Sequence, residues 1–317
     1  MTEAIAESIE ETLEKSADID DELPAVFETF IKYFLEISGI HLLGIGQTYS
    51  GKTQKAYQFA AWLMEFDETI CWIDSGKSIE INPLIDIAAD FNLPVKVIIP
   101  AGCKLSIEHE TVPVTVEEVK NPKKIPLMIE RDHVNILSIH QFFFQDRTYA
   151  RYMSEFTTSL LYHARLQNLD TDRLAILADE FGILCPGNEM QKQSKSLGRT
   201  ASLVAGNMKQ IRSCGVRYVC FDQAWTGVYP PARSQFPFYL ICRSPGIPRN
   251  AGTMGRYNFE NLMVDEGYLV FPQRRWDLKW EFPFFKMNPK TKIKASGLAS
   301  YKNNRKEFEI DDDDDEL

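Results

Sequence analysis

The chain has 317 residues, and its 45 acidic against 35 basic side chains give a net charge of -10 at pH 7. This excess of negative charge argues against a protein that coats nucleic acid over its whole surface, although a local basic channel is compatible with it. Hydrophobic residues at 44% and charged residues at 25% are average for a soluble globular protein. Six cysteines without a C-x-x-C pair favour a reducing, cytoplasmic setting, and no apolar run approaches the roughly 18 residues of a membrane-spanning helix.

The first segment, 1–38, is predicted to be an acidic and helical N-terminal extension. Residues 1–22 carry many Asp and Glu and few large apolar residues, which is typical of either a solvated helix or a disordered arm. The stretch "LPAVFETFIKYFLEI" that follows has apolar residues at helical spacing. We expect this stretch to pack on the domain that comes after it.

Between residues 40 and 271, short apolar runs alternate with longer amphipathic segments. The candidate strands are "IHLLGI", "TICWID", "VKVIIP", "VNILSI", "RLAILAD", "VRYVCFD", "FPFYLICR" and "GYLVF". The candidate helices cover 51–66, 147–167 and about 189–213. Most of these strands are continuously apolar, so the pattern predicts an α/β fold in which a mostly parallel central sheet is flanked by helices on both faces.

This α/β domain is predicted to cover 39–285. The segment at about 101–132 is rich in Glu, Lys and Pro, and is interpreted as an insertion at one edge of the sheet. The aromatic stretch "RRWDLKWEFPFF" is either a closing hairpin or a strand. Residues 286–317 form a C-terminal tail that is first basic and then acidic, and its last run, "DDDDDEL", is predicted to be disordered.

The stretch "GIGQTYSGKTQ" fills the pattern G-x-x-x-x-G-K-[ST] with Gly46, Gly51, Lys52 and Thr53. A candidate strand enters this loop and a candidate helix leaves it, which directs backbone N–H groups and the helix dipole at an anion. We therefore predict an ATP site in which Lys52 reaches the β- and γ-phosphates and Thr53 ligates Mg²⁺. The alternatives are an ordinary turn or, less favoured because "GIGQTY" is not G-x-G-x-x-G, a dinucleotide loop. The residues predicted to bind the nucleotide are Gly46, Gln47, Thr48, Tyr49, Ser50, Gly51, Lys52, Thr53 and Gln54.

Acidic and amide side chains follow other candidate strands. Asp179 ends "RLAILAD" and is the predicted second metal ligand, while Glu180 is the predicted general base for an attacking water. The alternative is that this pair caps the following turn. Gln223 is predicted either to sense the γ-phosphate or to hold the water, or else to be a satisfied polar residue of the loop. Asp74 and Lys77 either contact nucleotide or Mg²⁺ or belong to a helix N-cap.

Together these motifs resemble the HerA/FtsK class of ring-forming P-loop ATPases, which includes type IV secretion coupling proteins and viral genome-packaging ATPases. The resemblance covers about 40–243 through "GQTYSGKT", "CWID", "LAILADEFG" and "KQIRSCGVRYVCFDQ". It implies a RecA/ASCE-like fold, a homo-hexameric ring that moves double-stranded DNA, and an arginine that completes the neighbouring subunit's site. Arg212 and Arg199 are the candidates for that arginine. The residues before Gln223 and the absence of a recognisable β-barrel leave the branch of the class open.

The resemblance and the charge pattern lead to competing functional hypotheses. The first is a DNA-translocating ATPase, whose DNA contacts would come from either of two basic sets. These sets are Lys192, Lys195 and Arg199, and Arg243, Arg249 and Arg256. Ordinary surface charges explain the same sets equally well. The second hypothesis is an ATP-dependent switch or assembly factor acting on a protein partner, and the third is a structural domain with a decayed loop. The implied partners are ATP, Mg²⁺, double-stranded DNA, further copies of the chain, and membrane-bound, viral or conjugative proteins.

Overall fold

A ten-stranded sheet organises the computed structural model, which describes residues 30–76, 78–192, 195–244, 259–271 and 276–299. Residues 1–29 and the acidic run at 311–316 lie outside the described residues. The strands are β1 Leu42–Ile45, β2 Thr69–Asp74, β3 Val95–Pro100, β4 Lys104–Glu108, β5 Val114–Val119, β6 Val134–Ser138, β7 Leu174–Ala178, β8 Val216–Asp222, β9 Phe238–Ile241, β10 Glu266–Phe271, β11 Trp276–Glu281 and β12 Lys292–Ser296. The helices are α1 Lys52–Glu65, α2 Asn82–Asp90, α3 Asp146–Arg165, α4 Asn188–Gln191, α5 Lys195–Ile211 and α6 Pro230–Arg233, preceded by a π-helix at Ile31–Leu35.

The strand order of the large sheet is β11-β10-β9-β1-β8-β7-β2-β6-β3-β5. Neighbouring strands from β9 to β5 are parallel, while β10 and β11 are antiparallel at one edge. The predicted α/β fold with a mostly parallel sheet is therefore confirmed. Parallel strands end at the same rim of a sheet, so the loops after β1, β7 and β8 lie side by side.

The sheet separates two apolar cores because successive side chains of a strand point to opposite faces. In β2, Ile70 and Trp72 pack in the core that contains α1 and α2, while Cys71 and Ile73 pack in the core that contains α3 and α5. Helices thus cover both faces, which explains why most strands are apolar throughout.

The edge of the sheet opposite β11 is formed by β5, which lies within the segment 101–132. The neighbouring β4 leaves this sheet and pairs antiparallel with β12, from Lys104 opposite Ser296 to Glu108 opposite Lys292. Part of the segment that the sequence assigns to the C-terminal tail therefore forms a strand and packs on the insertion.

A buried ionic cluster lies at the amino-terminal ends of β7 and β8. Arg217 and Glu68 have fully buried side chains that meet at 2.5 Å, and Arg173 reaches the same Glu68 oxygen at 2.9 Å. Burial raises the pKa of Glu68 and lowers that of Arg217, and each charge opposes the shift of the other. Removal of Arg217 would leave Glu68 with the partly exposed Arg173 as its cation, and removal of Glu68 would leave the Arg217 charge buried without compensation.

The same two arginines fix the segment before β1. Arg217 donates to the carbonyl oxygen of Phe34 and to that of Ile37 at 2.8 Å, and Arg173 donates to that of Leu35 at 2.7 Å. The carbonyls of Phe34 and Leu35 belong to the last turn of the π-helix, and that of Ile37 follows it, so the guanidinium groups supply donors at the negative end of the helix dipole.

We predict that Arg217→Ala lowers the free energy of unfolding by about 3–5 kcal/mol, because it leaves the Glu68 carboxylate buried without its closest cation. Urea denaturation of the native and variant chains measures this difference. Lys192→Ala is the matched control, since it removes an exposed ion pair with Glu189 and should cost at most about 0.5 kcal/mol. Equal losses in the two variants would contradict the role assigned to the cluster.

Candidate functional site

The loop of residues 46–51 connects β1 to α1 at the carboxyl rim of the sheet. Its backbone continues the pairing of β1 with both neighbours, because Gly46 N donates to Asp222 O at 3.1 Å and Gln47 N donates to Arg243 O at 3.0 Å. Gly51 precedes the helix with φ +74°. A side chain is strained in this conformation, and a Cβ on Gly51 would lie 2.2 Å from the carbonyl oxygen of Val264.

The first two residues of α1 carry the charged and hydroxyl groups that the motif predicts. Lys52 is almost buried and folds back over the loop, with Nζ donating to Gln47 O at 3.0 Å. Thr53 Oγ1 donates to Asp179 Oδ2 at 2.9 Å, across 126 residues of sequence. The structure thus brings the loop and the carboxylate after β7 into direct contact, with β8 lying between β1 and β7 in the sheet.

Glu180 and Gln223 complete this side of the site. Gln223 Nε2 donates to Glu180 Oε1 at 3.3 Å, and Thr48 Oγ1 of the loop donates to Gln223 Oε1 at 3.2 Å. Glu180 has φ +53°, which costs a non-glycine residue about 1 kcal/mol or more. A connected set of side chains therefore links the loop to both residues.

Asp222 holds the turns after β7 and β8 together. It is buried, and its carboxylate accepts hydrogen bonds from Gly182 N at 2.5 Å and Ala224 N at 3.1 Å. Burial raises its pKa, whereas these amide donors oppose that rise. Asp222 is the last residue of the candidate strand "VRYVCFD", and in the structure it holds the turns that carry Glu180 and Gln223.

Lys55 is a residue of the site region that sequence analysis missed. Its side chain is fully buried, and Nζ donates to Ser50 O at 3.2 Å and to Val264 O at 2.6 Å. Burial lowers the pKa of Lys55. The lysine joins the loop of residues 46–51 to the segment before β10. The sequence feature that could have predicted this contact is the position of Lys55 on a helix that is apolar around most of its circumference.

These groups surround an open cleft of about 450 Å³. The lining combines acidic and polar side chains with two apolar side chains from the C-terminal part of the chain. The lining residues are Thr48, Tyr49, Ser50, Gly51, Lys52, Thr53, Gln54, Glu80, Asp179, Glu180, Gln223, Val264 and Phe284.

Two further candidates, Asp74 and Lys77, come from the end of β2 and the loop after it. Asp74 is buried beside the cleft and not in its lining, and it accepts hydrogen bonds from Ser138 Oγ at 2.9 Å and Gly76 N at 3.2 Å. These contacts hold the turn after β2, and neither of them is the predicted nucleotide contact or helix N-cap. Lys77 lies outside the described residues.

The candidate arginines are separated from the cleft to different degrees. Arg212 is exposed in the turn before β8, so about 20 Å of strand separates it from the rim of its own site. Arg199 is exposed on α5, and Arg243 borders the loop, with Nη2 3.5 Å from Tyr49 O. Of the remaining basic candidates, Lys192 and Lys195 are exposed, while Arg249 and Arg256 lie outside the described residues.

The strand order and the loop between β1 and α1 define a P-loop NTPase fold. No protein-family model matches the sequence, and no curated protein is a significant match. Among solved structures, the chain is similar to the genome packaging NTPase B204 from Sulfolobus turreted icosahedral virus 2 in complex with sulfate, with 10% identity and a TM-score of 0.49 over 78% of this chain and 98% of that chain. The same NTPase is also among the matches in complex with AMPPCP and with ATP-gammaS.

Secretion ATPases form a second group of similar structures. EccC (ATPases 2 and 3) from Thermomonospora curvata has 12% identity and a TM-score of 0.39 over 78% of this chain and 37% of that chain. EssC (ATPases 2 and 3) from Geobacillus thermodenitrificans has 8% identity and a TM-score of 0.42 over 80% and 41%. Both groups are FtsK/HerA-type P-loop ATPases, the class that the sequence resembles. Because these sequence identities and TM-scores are low, the fold assignment rests on the chain's own strand order and loop.

Within the described ranges, no helix combines the length and apolar character needed to cross a bilayer.

We predict that Gly51→Ala lowers the free energy of unfolding by more than about 1 kcal/mol, because φ is positive and the new Cβ would collide with the Val264 carbonyl. Thermal unfolding of the purified variants measures the effect. Gly206→Ala is the matched control, since this helical glycine has open space around it, and alanine there should raise stability by about 0.4–1 kcal/mol. A neutral or stabilising Gly51→Ala would show that the loop geometry is not that described.

Proposed function

We propose that the chain is a Mg²⁺-dependent ATPase that resembles HerA/FtsK motors and moves or packages double-stranded DNA as a homo-hexameric ring. The observation that carries the ATPase proposal is the contact between Thr53 and Asp179 beside Lys52. A hydroxyl and a carboxylate at one point are a suitable pair of protein ligands for Mg²⁺, which usually takes its other ligands from phosphates and water.

Each group then has a defined task. The loop amides and the Lys52 ammonium bind the β- and γ-phosphates, and the start of α1 supplies a favourable dipole. Mg²⁺, held by Thr53 and Asp179, would neutralise charge on the phosphate oxygens. Glu180 takes a proton from the water that attacks the γ-phosphorus, so that ADP and inorganic phosphate are released. Its hydrogen bond with Gln223 supports a role of the glutamine in positioning this base.

Gln223 also accepts a hydrogen bond from Thr48 in the loop. Any displacement of the loop on nucleotide binding therefore acts on Gln223 and, through it, on Glu180. This connection supports the sensing role predicted for the glutamine.

The proposal also includes assembly of the chain into a ring and binding of DNA. Arg212 is exposed and far from its own cleft, which is compatible with a contribution to a neighbour's site. Arg199 is the second candidate. Lys195 lies at the start of α5, which follows the short helix after Glu180, so an exposed cation is presented near the rim that carries the cleft. Phosphate neutralisation by such cations would provide sequence-independent DNA affinity.

For the chemistry, we predict that Glu180→Gln lowers ATP turnover by about 10²–10⁴-fold, the usual contribution of a general base, while ATP binding is retained. Lys52→Ala should instead weaken binding of the triphosphate itself. Steady-state phosphate release and titration with a non-hydrolysable analogue separate the two effects. Glu189→Gln, the same change on the exposed helix α4, is the control and should leave both quantities unchanged. Full turnover in Glu180→Gln would refute the assignment of the base.

For the motor, we predict that long double-stranded DNA raises the ATPase rate and that this stimulation weakens as salt is added. The measurement is the ATPase rate at saturating DNA over a salt series, together with the mass of the ATP-bound assembly. An arginine acting in trans also requires that inactive Arg212→Ala and inactive Glu180→Gln subunits regain turnover when mixed. The same mixture with Arg199→Ala tests the second arginine.

An unstimulated rate from an ATP-bound monomer would contradict the motor. Tight ATP binding with slow turnover that DNA does not change would then favour the alternative, a nucleotide-dependent switch or assembly factor that acts on a protein partner. The net charge of -10 is compatible with that alternative.

A further inference from the structure

The segment 282–299, here called the C-terminal strap, crosses the carboxyl rim of the sheet after β11. Gln54 of α1 exchanges two hydrogen bonds with the strap backbone, donating from Nε2 to Phe285 O at 3.2 Å and accepting from Phe285 N at 2.6 Å. Asn82 of α2 does the same with Asn288, at 2.9 and 3.0 Å. Two side-chain amides thus imitate strand pairing and fix the main chain of the strap at Phe285 and at Asn288.

This anchoring places Phe284 at the cleft. Its side chain is 68% exposed, although its chain neighbour Phe285 is held to Gln54, one residue beyond Thr53. Phe284 is part of the cleft lining together with Val264, which is 42% exposed. A large apolar ring that is held in place and left facing an open cleft is a feature of ligand sites, since pockets combine apolar walls with a few convergent polar groups.

Val264 is also held in place, by a hydrogen bond from Lys55 to its backbone. The buried Lys55 ammonium donates to its carbonyl oxygen at 2.6 Å, and the same carbonyl lies against Gly51 of the loop. Hydrogen bonds of this kind offset part of the energetic cost of burying a lysine, as does its position over the Phe282 ring. Lys55 therefore acts as a positioning residue that fixes one apolar wall of the cleft relative to the phosphate loop.

The chemistry of hydrolysis indicates which part of a bound nucleotide would contact Val264 and Phe284. The γ-phosphate must face Glu180, which lines the cleft together with Gln223 and Asp179. The α-phosphate, ribose and base then need other lining groups, and Gln54, Val264 and Phe284 are part of the same lining. Resting on the proposed ATPase function, we infer that Phe284 and Val264 form an apolar clamp for the nucleobase.

The clamp has a specific consequence for recognition. Both polar atoms of the Gln54 amide form a hydrogen bond with Phe285, so this glutamine holds the strap beside the loop. The ring of Phe284 offers a flat apolar face, and stacking on such a face depends on the presence of a planar base. The strap therefore contributes affinity for the nucleoside part of the ligand, whereas the loop contributes affinity for the phosphates.

The experiment compares two ligands that share the triphosphate and differ in the nucleoside. Dissociation constants are measured in Mg²⁺ buffer for a non-hydrolysable ATP analogue and for inorganic tripolyphosphate, with the full-length native chain and Phe284→Ala. We expect the variant to bind the ATP analogue about ten-fold more weakly, as stacking on an aromatic side chain implies, and tripolyphosphate unchanged. Phe284→Trp should restore the affinity for the analogue.

Met287→Ala is the matched control, because Met287 is also exposed on the strap but is not part of the cleft lining. It should change neither constant. An equal loss for both ligands in Phe284→Ala, or no loss for either, would overturn the clamp while leaving the ATPase proposal intact. A native chain that binds neither ligand, or a Lys52→Ala variant that binds both normally, would instead refute the proposed function on which the clamp rests.

Discussion

The hydrogen bond from Thr53 to Asp179 is the interaction on which the candidate site depends. It joins the first turn of α1 to the end of β7, although 126 residues separate the two in sequence. It forms because β1 and β7 run parallel with one strand between them, so their carboxyl ends open at the same rim. A different strand order would leave the same motifs too far apart to share a metal ion.

The intervening strand, β8, makes side-chain contacts at both of its ends. At its amino-terminal end, Arg217 is buried against Glu68 and fixes the carbonyls of the segment before β1. At its other end, Asp222 holds the adjacent turns and Gln223 contacts Glu180. The parallel strand β7 has the same organisation, with Arg173 before it and Asp179 after it. The two strands that carry the acidic and amide groups therefore have polar side-chain contacts at both ends.

The C-terminal part of the chain closes the site from the other side. The antiparallel hairpin of β10 and β11 extends the sheet beyond β9, and the strap then returns across the rim to pair with β4. Its contacts with Gln54 and Asn82 join residues that are more than 200 positions apart. The proposed nucleobase clamp is thus made by residues that become neighbours only when both the hairpin and the strap have been placed.

The sequence by itself determined the eight apolar strands, the loop from Gly46 to Thr53 and the chain order of Asp179, Glu180 and Gln223, because these features are encoded by local spacing and composition. Only the tertiary structure decided that Lys55 binds Val264, that Asp222 holds two turns, and that residues 292–296 pair with the segment 104–108. These contacts depend on which distant backbones meet, and hydrogen-bonding capacity alone does not select a partner. A lysine, an aspartate or a basic tail has many possible partners until the sheet is assembled.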